Sequence, residues 1–187
     1  MFLPPTNMIR SSLRLLAIDL TAKGFGYALV DKKLSLLDWG FSSMRVADDD
    51  AFLARVSARI DRGSPTALVL ENFSPTPGRP TATRRSQLLI KLATEKQIGL
   101  CQVSPKVVRR VLGVTTKADI AQLMIRRFPE LRHRAPHDRK PWMTEDDRMN
   151  LFDAVALAVT VLDGFATMGR VAEQTPRRAN GSRPGKR

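Results

Sequence analysis

A chain of 187 residues with 43% hydrophobic content can bury the core of one ordinary domain, which excludes a disordered protein. Its formal net charge of +13 exceeds routine solubilising charge and points to a polyanionic partner, nucleic acid before membrane surface. The one cysteine, Cys101, excludes an intramolecular disulfide, all but excludes a cysteine-based zinc site and fits a reducing compartment. Residues 1–12 read as a flexible arm, without the basic start and long apolar core of a signal peptide. Leu13 to Leu20, Gly24 to Asp31 and Leu34 to Ser43 read as three strands of an antiparallel meander. Gly24 and Gly26 are expected to let the backbone reverse after the first strand.

Asp48, Asp49 and Asp50 supply a helix start, followed by Phe52, Val56 and Ile60 at helical spacing, and Gly63 to Pro65 stop it. Thr66 to Leu70 is a short apolar run suited to a parallel central strand, and it ends on Glu71. Phe73 to Thr83 reads as a proline-rich loop, Arg84 to Gln97 as a helix and Gly99 to Val103 as another buried strand. Ser104 caps a short helix with Pro105 at its first position and Gly113 at its end. Thr116 caps the next helix, Lys117 to Phe128. Pro129 to Pro141 reads as a basic loop, and Thr144 to Asp147 as the start of a last helix running to about Phe165. The apolar run Leu151 to Met168 carries Asp153 and Asp163, so it is not read as a membrane span. The domain is therefore expected to occupy residues 13–168, with a basic disordered tail at 169–187.

Asp19 and Glu71 each close an apolar strand, where a carboxylate has no packing role. If those strands are neighbours, the two acids meet at one edge of the sheet. Asp153, early in the last helix on a stretch otherwise fit for burial, is the third candidate, because a bare buried carboxylate needs compensation that a divalent cation supplies. Asn150, three residues earlier, and Asp146, seven earlier, are expected on the same helix face, with Asp147 six earlier. Such a cluster suits Mg²⁺ or Mn²⁺. Two such ions roughly 4 Å apart can activate water and stabilise the leaving oxygen in phosphodiester cleavage. Phosphate contacts are expected from Arg79, Arg84 and Arg85 beside the Glu71 loop, from Lys106 and Arg109, and from Arg132, Arg134 and Lys140 before the last helix. Phe73 could stack on a splayed base. His133 and His137 are expected to face solvent, and Tyr27 to pack.

These residues carry a family resemblance. Ala17-Ile18-Asp19 with Gly26-Tyr27 resembles the first motif of the RuvC Holliday junction resolvases. Leu70-Glu71-Asn72-Phe73 resembles their second. Ser104 to Gly113 followed by Lys117 is similar to their fourth-strand exit and lysine-bearing segment, and Asn150 with Asp153-Ala-Val-Ala to their closing helix. The resemblance spans residues 13 to 165. It implies an α/β, RNase H-like fold with a mixed five-stranded sheet and helices on both faces. It implies a homodimer with two Mg²⁺ per site, Mn²⁺ being a substitute, that nicks four-way DNA junctions symmetrically in recombination and repair, leaving 5′-phosphate and 3′-hydroxyl ends. By the resemblance Asp19, Glu71 and Asp153 are metal ligands, and Lys117 lies near the scissile phosphate, where it stabilises transition-state charge. A cytoplasmic, nucleoid-associated place follows from that role.

The chain departs from the family pattern at Thr21, where a Gly is usual, and at Asn150, where Asp or His is usual. Asn can ligate through its carbonyl oxygen but brings no charge. Asp146 or Asp147 substitutes, or three carboxylates suffice, or the site is impaired. The rival readings are a non-catalytic module of the same fold that binds branched or single-stranded DNA, and a phosphotransferase of the actin and sugar-kinase type. The chain is too short for the two domains the latter needs.

Overall fold

A computed structural model of the protein describes residues 13–45, 48–72, 79–137 and 146–174, the last stretch beyond 164 as backbone only. Strands β1 (Arg14–Thr21), β2 (Gly24–Asp31) and β3 (Leu36–Ser43) form the meander. Helix α1 (Asp49–Gly63), strand β4 (Ala67–Glu71), helix α2 (Pro80–Glu95) and strand β5 (Gly99–Val103) follow. The chain then runs through α3 (Pro105–Leu112), α4 (Lys117–Arg127), a 3-10 helix (Pro129–Arg134) and α5 (Met149–Gln174). The five strands make one mixed sheet in the order β3-β2-β1-β4-β5. β1 pairs antiparallel with β2 and parallel with β4, and β4 pairs parallel with β5.

β1 is central, and Leu15 through Leu20 are all buried, as a strand covered on both faces requires. Side-chain alternation sorts its residues between two cores. Leu16, Ile18 and Leu20 join Phe52, Val56 and Ile60 of α1 and Leu89 and Leu92 of α2. Leu15 and Ala17 face the other way, onto a core built with α5, α4 and α3. The same alternation continues to the strand ends. Asp19 follows Leu15 and Ala17, and Glu71 follows Val69, another member of that second core. Both acids are thereby aimed at the sheet face that α5 covers.

The helix starts are chemically defined. Asp48 Oδ1 accepts from Ala51 N at 3.0 Å, and Ser104 Oγ from Val107 N at 3.3 Å. Thr116 and Asp119 close a reciprocal capping box on α4. Helices α1 and α2 are pinned by Arg85, a fully buried residue. Its Nε lies 3.3 Å from Asp49 Oδ1, its Nη2 donates to Arg45 O at 3.0 Å, and its guanidinium stands 5.1 Å from the Phe52 ring centre.

Several boundaries differ from the sequence reading. α2 begins at Pro80 rather than Arg84, because Pro is well suited to the first helical position and Ala82 already belongs to the buried face. β3 begins at Leu36, because Asp31 Oδ1 accepts from Lys33 N and Ser35 N and winds the residues before it into a turn, with Leu34 at φ 62°. Residues 129–134 of the expected basic loop form the 3-10 helix. α5 begins at Met149 and runs on to Gln174, past Gly164 and Gly169, since an isolated glycine costs a helix too little to end it. The proposed start at Thr144, the arm at 1–12 and residues 175–187 of the tail lie outside the described residues. Among the described residues no helix is long and apolar enough to cross a membrane.

Candidate active site

Three elements deliver acids to one place. β1 and β4 are parallel neighbours in register from Leu15↔Ala67 to Ile18↔Leu70, so Asp19 and Glu71 emerge side by side at the same sheet edge. α5 crosses that edge and carries Asp153 one turn in from its start. Its approach is set by Gly26, the partner of Asp19 in the β1–β2 ladder. A Cβ on Gly26 would stand 2.1 Å from Asn150 O and 2.7 Å from Leu151 N, both backbone atoms of α5. Gly26 is therefore a strand residue needed for close helix approach, where the sequence suggested a role in the turn. The turn itself is closed by Thr21, whose Oγ1 donates to Gly24 O and accepts from Lys23 N. Thr21 thus has a local structural role.

The acids line a cleft of about 260 Å³. Asp19, Glu71 and Asp153 share it with Lys117, Arg79, Arg109 and Thr115, against an apolar wall that includes Leu20, Pro105, Val108, Ile120 and Leu157. Asp19 is only 5% exposed, and among the described residues no group donates a hydrogen bond to its carboxylate. Burial pushes its carboxyl well above the usual range, and the charges of Asp153 and Glu71 push it further, against a partial offset from Lys117 and Arg79. Burial also raises Glu71. Arg79, whose Nη1 lies 4.0 Å from Glu71 Oε1, counters this, while Asp153 adds to it. Lys117 Nζ donates to Asp153 Oδ2 at 3.0 Å.

As they lie, no three acidic, histidine or cysteine side chains among the described residues stand close enough to hold one ion. Lys117 pairs with Asp153 and Arg79 stands 4.0 Å from Glu71, so a cation must compete with both. The donor set nonetheless fits a hard divalent cation. It is all oxygen, anionic and includes one buried carboxylate that receives no donor among the described residues.

The remaining expected residues divide. Arg79 and Arg109 line the cleft. Lys106 is exposed in the first turn of α3, next to the cleft residue Pro105. Arg132 and Arg134 are exposed on the 3-10 helix and do not line the cleft, and His133 and His137 are exposed too. Arg84 is held by Asp49, at 2.6 Å, on the α1 side. Phe73 and Lys140 lie outside the described residues. Tyr27 packs as expected, with the Arg59 guanidinium 4.0 Å over its ring.

Three expectations are corrected. Arg85 is not a phosphate contact, because it is wholly buried between α1 and α2. Asp146 does not line the cleft. It precedes α5, and its oxygens accept from His137 N at 3.1 Å and Arg148 N at 3.0 Å. Burial alone would raise its carboxyl, but those two N–H groups outweigh it and hold the carboxyl below the ordinary value. Asn150 also lies outside the cleft, and its Nδ2 donates to Asp147 O at 3.0 Å. Both line a second, neighbouring cavity. Asp147 is exposed in the turn before α5 and is likewise absent from the cleft. Two features were not anticipated: the Arg79–Glu71 contact, which the intervening proline-rich loop concealed, and Thr115, which stands two residues before Lys117 at the cleft.

No family model and no curated protein sequence matches the chain. Solved structures do. The RuvC protein of Thermus thermophilus in complex with a Holliday junction substrate is 19% identical, with a TM-score of 0.61 over 84% of this chain and 96% of that one. A second Thermus thermophilus RuvC structure gives 19% identity and a TM-score of 0.59 over 84% and 97%. The fowlpox virus Holliday junction resolvase gives 12% identity and a TM-score of 0.54 over 81% and 99%. The backbone follows these neighbours over most of its length, and the chain has the RNase H-like fold of the RuvC-type Holliday junction resolvases.

Proposed function

We propose that the protein is a divalent-cation-dependent endonuclease that nicks branched DNA, four-way junctions first. The observation that carries this reading is Asp19, a carboxylate buried in a cleft that it shares with Glu71, Asp153 and Lys117. The fold neighbours, one of them in complex with a Holliday junction substrate, give the reading its substrate class.

Asp19, Glu71 and Asp153 would hold Mg²⁺ or Mn²⁺, which when bound supplies the Lewis acid and the activated water of phosphodiester hydrolysis. Arg79 and Arg109 hold phosphate oxygens by charge-assisted hydrogen bonds, offsetting the repulsion between the acids and the DNA backbone. Lys117 places a positive charge at the same wall, where charge builds on the reacting phosphate. The apolar wall around Leu20, Val108 and Leu157 lowers the local dielectric and so strengthens each of these interactions. Symmetric nicking needs two such sites, which makes a homodimer part of the proposal, and action on chromosomal junctions places the protein at the nucleoid.

The test is cleavage of synthetic four-way junctions. Asp19→Asn and Asp153→Asn are each expected to abolish nicking in Mg²⁺ while junction binding survives. Undiminished cutting by either variant removes the proposed site. A second reading, a junction-binding module without catalysis, is favoured by the Lys117 and Arg79 pairs, which offer two of the acids a partner other than a cation. Its mark is tight, Mg²⁺-independent binding with no nicking in Mn²⁺ either.

A further inference from the structure

A second cavity of about 310 Å³ adjoins the cleft and shares Leu20 and Arg79 with it. Its floor is apolar, with Leu20, Ala22, Pro80 and Ala82. Its polar groups differ in kind from those of the cleft. The first-turn N–H groups of Thr81 and Ala82 in α2 have no carbonyl of their own helix to bond, so they are donors. Asn150 is 7% exposed, and its Nδ2 is committed to Asp147 O. Among the described residues nothing donates to its Oδ1, which leaves an acceptor open on the cavity wall. Asp146, held ionised by its two N–H partners, contributes a second oxygen-rich edge. A carboxylate there opposes a phosphate. Apolar walls with donors on one side and acceptors on the other suit a flat, neutral ring with a hydrogen-bonding edge.

We infer that this cavity is a nucleotide subsite, which receives the unpaired base next to the phosphate held in the cleft. The inference rests on the DNA reading above and adds to it where sequence discrimination arises. Arg79 stands between the two cavities, so a strand whose phosphate meets Glu71 and Asp153 passes it before its next base reaches Asn150. Direct readout then comes from Asn150 Oδ1 and the α2 N–H groups acting on one base edge.

The test is binding of four-way junctions carrying a single abasic nucleotide, scanned through the positions around the crossover. It is read by fluorescence anisotropy on the full chain in EDTA, where nothing is cut. Loss of one base is expected to weaken wild-type binding about tenfold at one position, the scale of one well-read base. Ala22→Phe fills the cavity from an exposed turn and is expected to erase that position's penalty. Thr81→Leu fills it from α2 and should do the same, should the first variant unfold on heating below the wild type. A penalty of equal size in wild type and both variants, or no position with a penalty, overturns the subsite. A position-specific penalty in a protein that nicks in neither Mg²⁺ nor Mn²⁺ would end the nuclease reading and leave the subsite standing.

Discussion

Asp19 opposes the fold wherever it is ionised. Its carboxyl is raised by burial and by two neighbouring acids, so between the ordinary carboxylate range and its own raised value the folded protein binds more protons than the unfolded one. Stability therefore falls as pH rises through that window and gains nothing from this group above it. Asp19→Asn removes the charge and keeps the shape. In the presence of chelator the variant should be more stable than wild type near neutral pH by roughly 1–3 kcal/mol, the cost of an uncompensated buried polar group. The advantage should shrink as pH falls into the ordinary carboxylate range. Urea unfolding across pH measures it, and a variant less stable than wild type at every pH would contradict it. Single residues were also where the sequence misled. Arg85 sits in a basic run and reads as a surface charge, yet Asp49 and the Phe52 ring give it a buried site that no local pattern reveals. Asp146 and Asn150 were placed with Asp153 by helical spacing. Spacing holds only inside a helix, and Asp146 precedes α5, whereas Asn150 lies inside it with its Nδ2 committed to Asp147 O.

Elements decide whether the acids meet. The alternation that buries Leu15, Ala17 and Val69 also orients Asp19 and Glu71, and apolar runs closed by an acid made this much legible without coordinates. The descent of α5 onto β2 was not legible, because it depends on an absent side chain rather than a present one. Gly26 has Asn150 and Leu151 backbone within the reach of any Cβ. Gly26→Ala should force α5 outward at a cost of about 1–3 kcal/mol, the usual range for overpacking. It should also slow nicking, because Asp153 and Asn150 move with the helix although no proposed ligand changes. Thermal unfolding and junction cleavage on the same variant check both effects, and full activity with unchanged stability would show that the close approach has no consequence. Helix starts were legible where a side chain caps them, as at Asp48, Ser104 and Thr116, and not at Pro80, where no side-chain cap is made.

For the whole molecule, the net charge of +13 and the three acids of the cleft have to be reconciled. Arg79, Arg109 and Lys117 around the acids and the exposed Lys106, Arg132 and Arg134 beyond them supply a positive field through which a polyanion can reach an anionic centre. Junction affinity carried by such contacts should fall at least roughly a hundredfold between about 50 and 200 mM salt, as release of condensed counterions requires. A binding constant nearly flat across that range would contradict a phosphate-based footprint. The overall fold was readable because strand and helix periodicities, turn residues and strand-end acids all agree. Convergence of the site was readable only in part: the sequence specifies which faces the acids occupy, but not that Lys117 pairs with Asp153 and Arg79 approaches Glu71. The most direct measurement is calorimetric titration of the metal-free protein with Mn²⁺ near neutral pH, in wild type and in Asp19→Asn. Saturable binding by the wild type that the variant loses is the predicted result, and equal binding by both, or none by either, would contradict a cation site built on Asp19, Glu71 and Asp153.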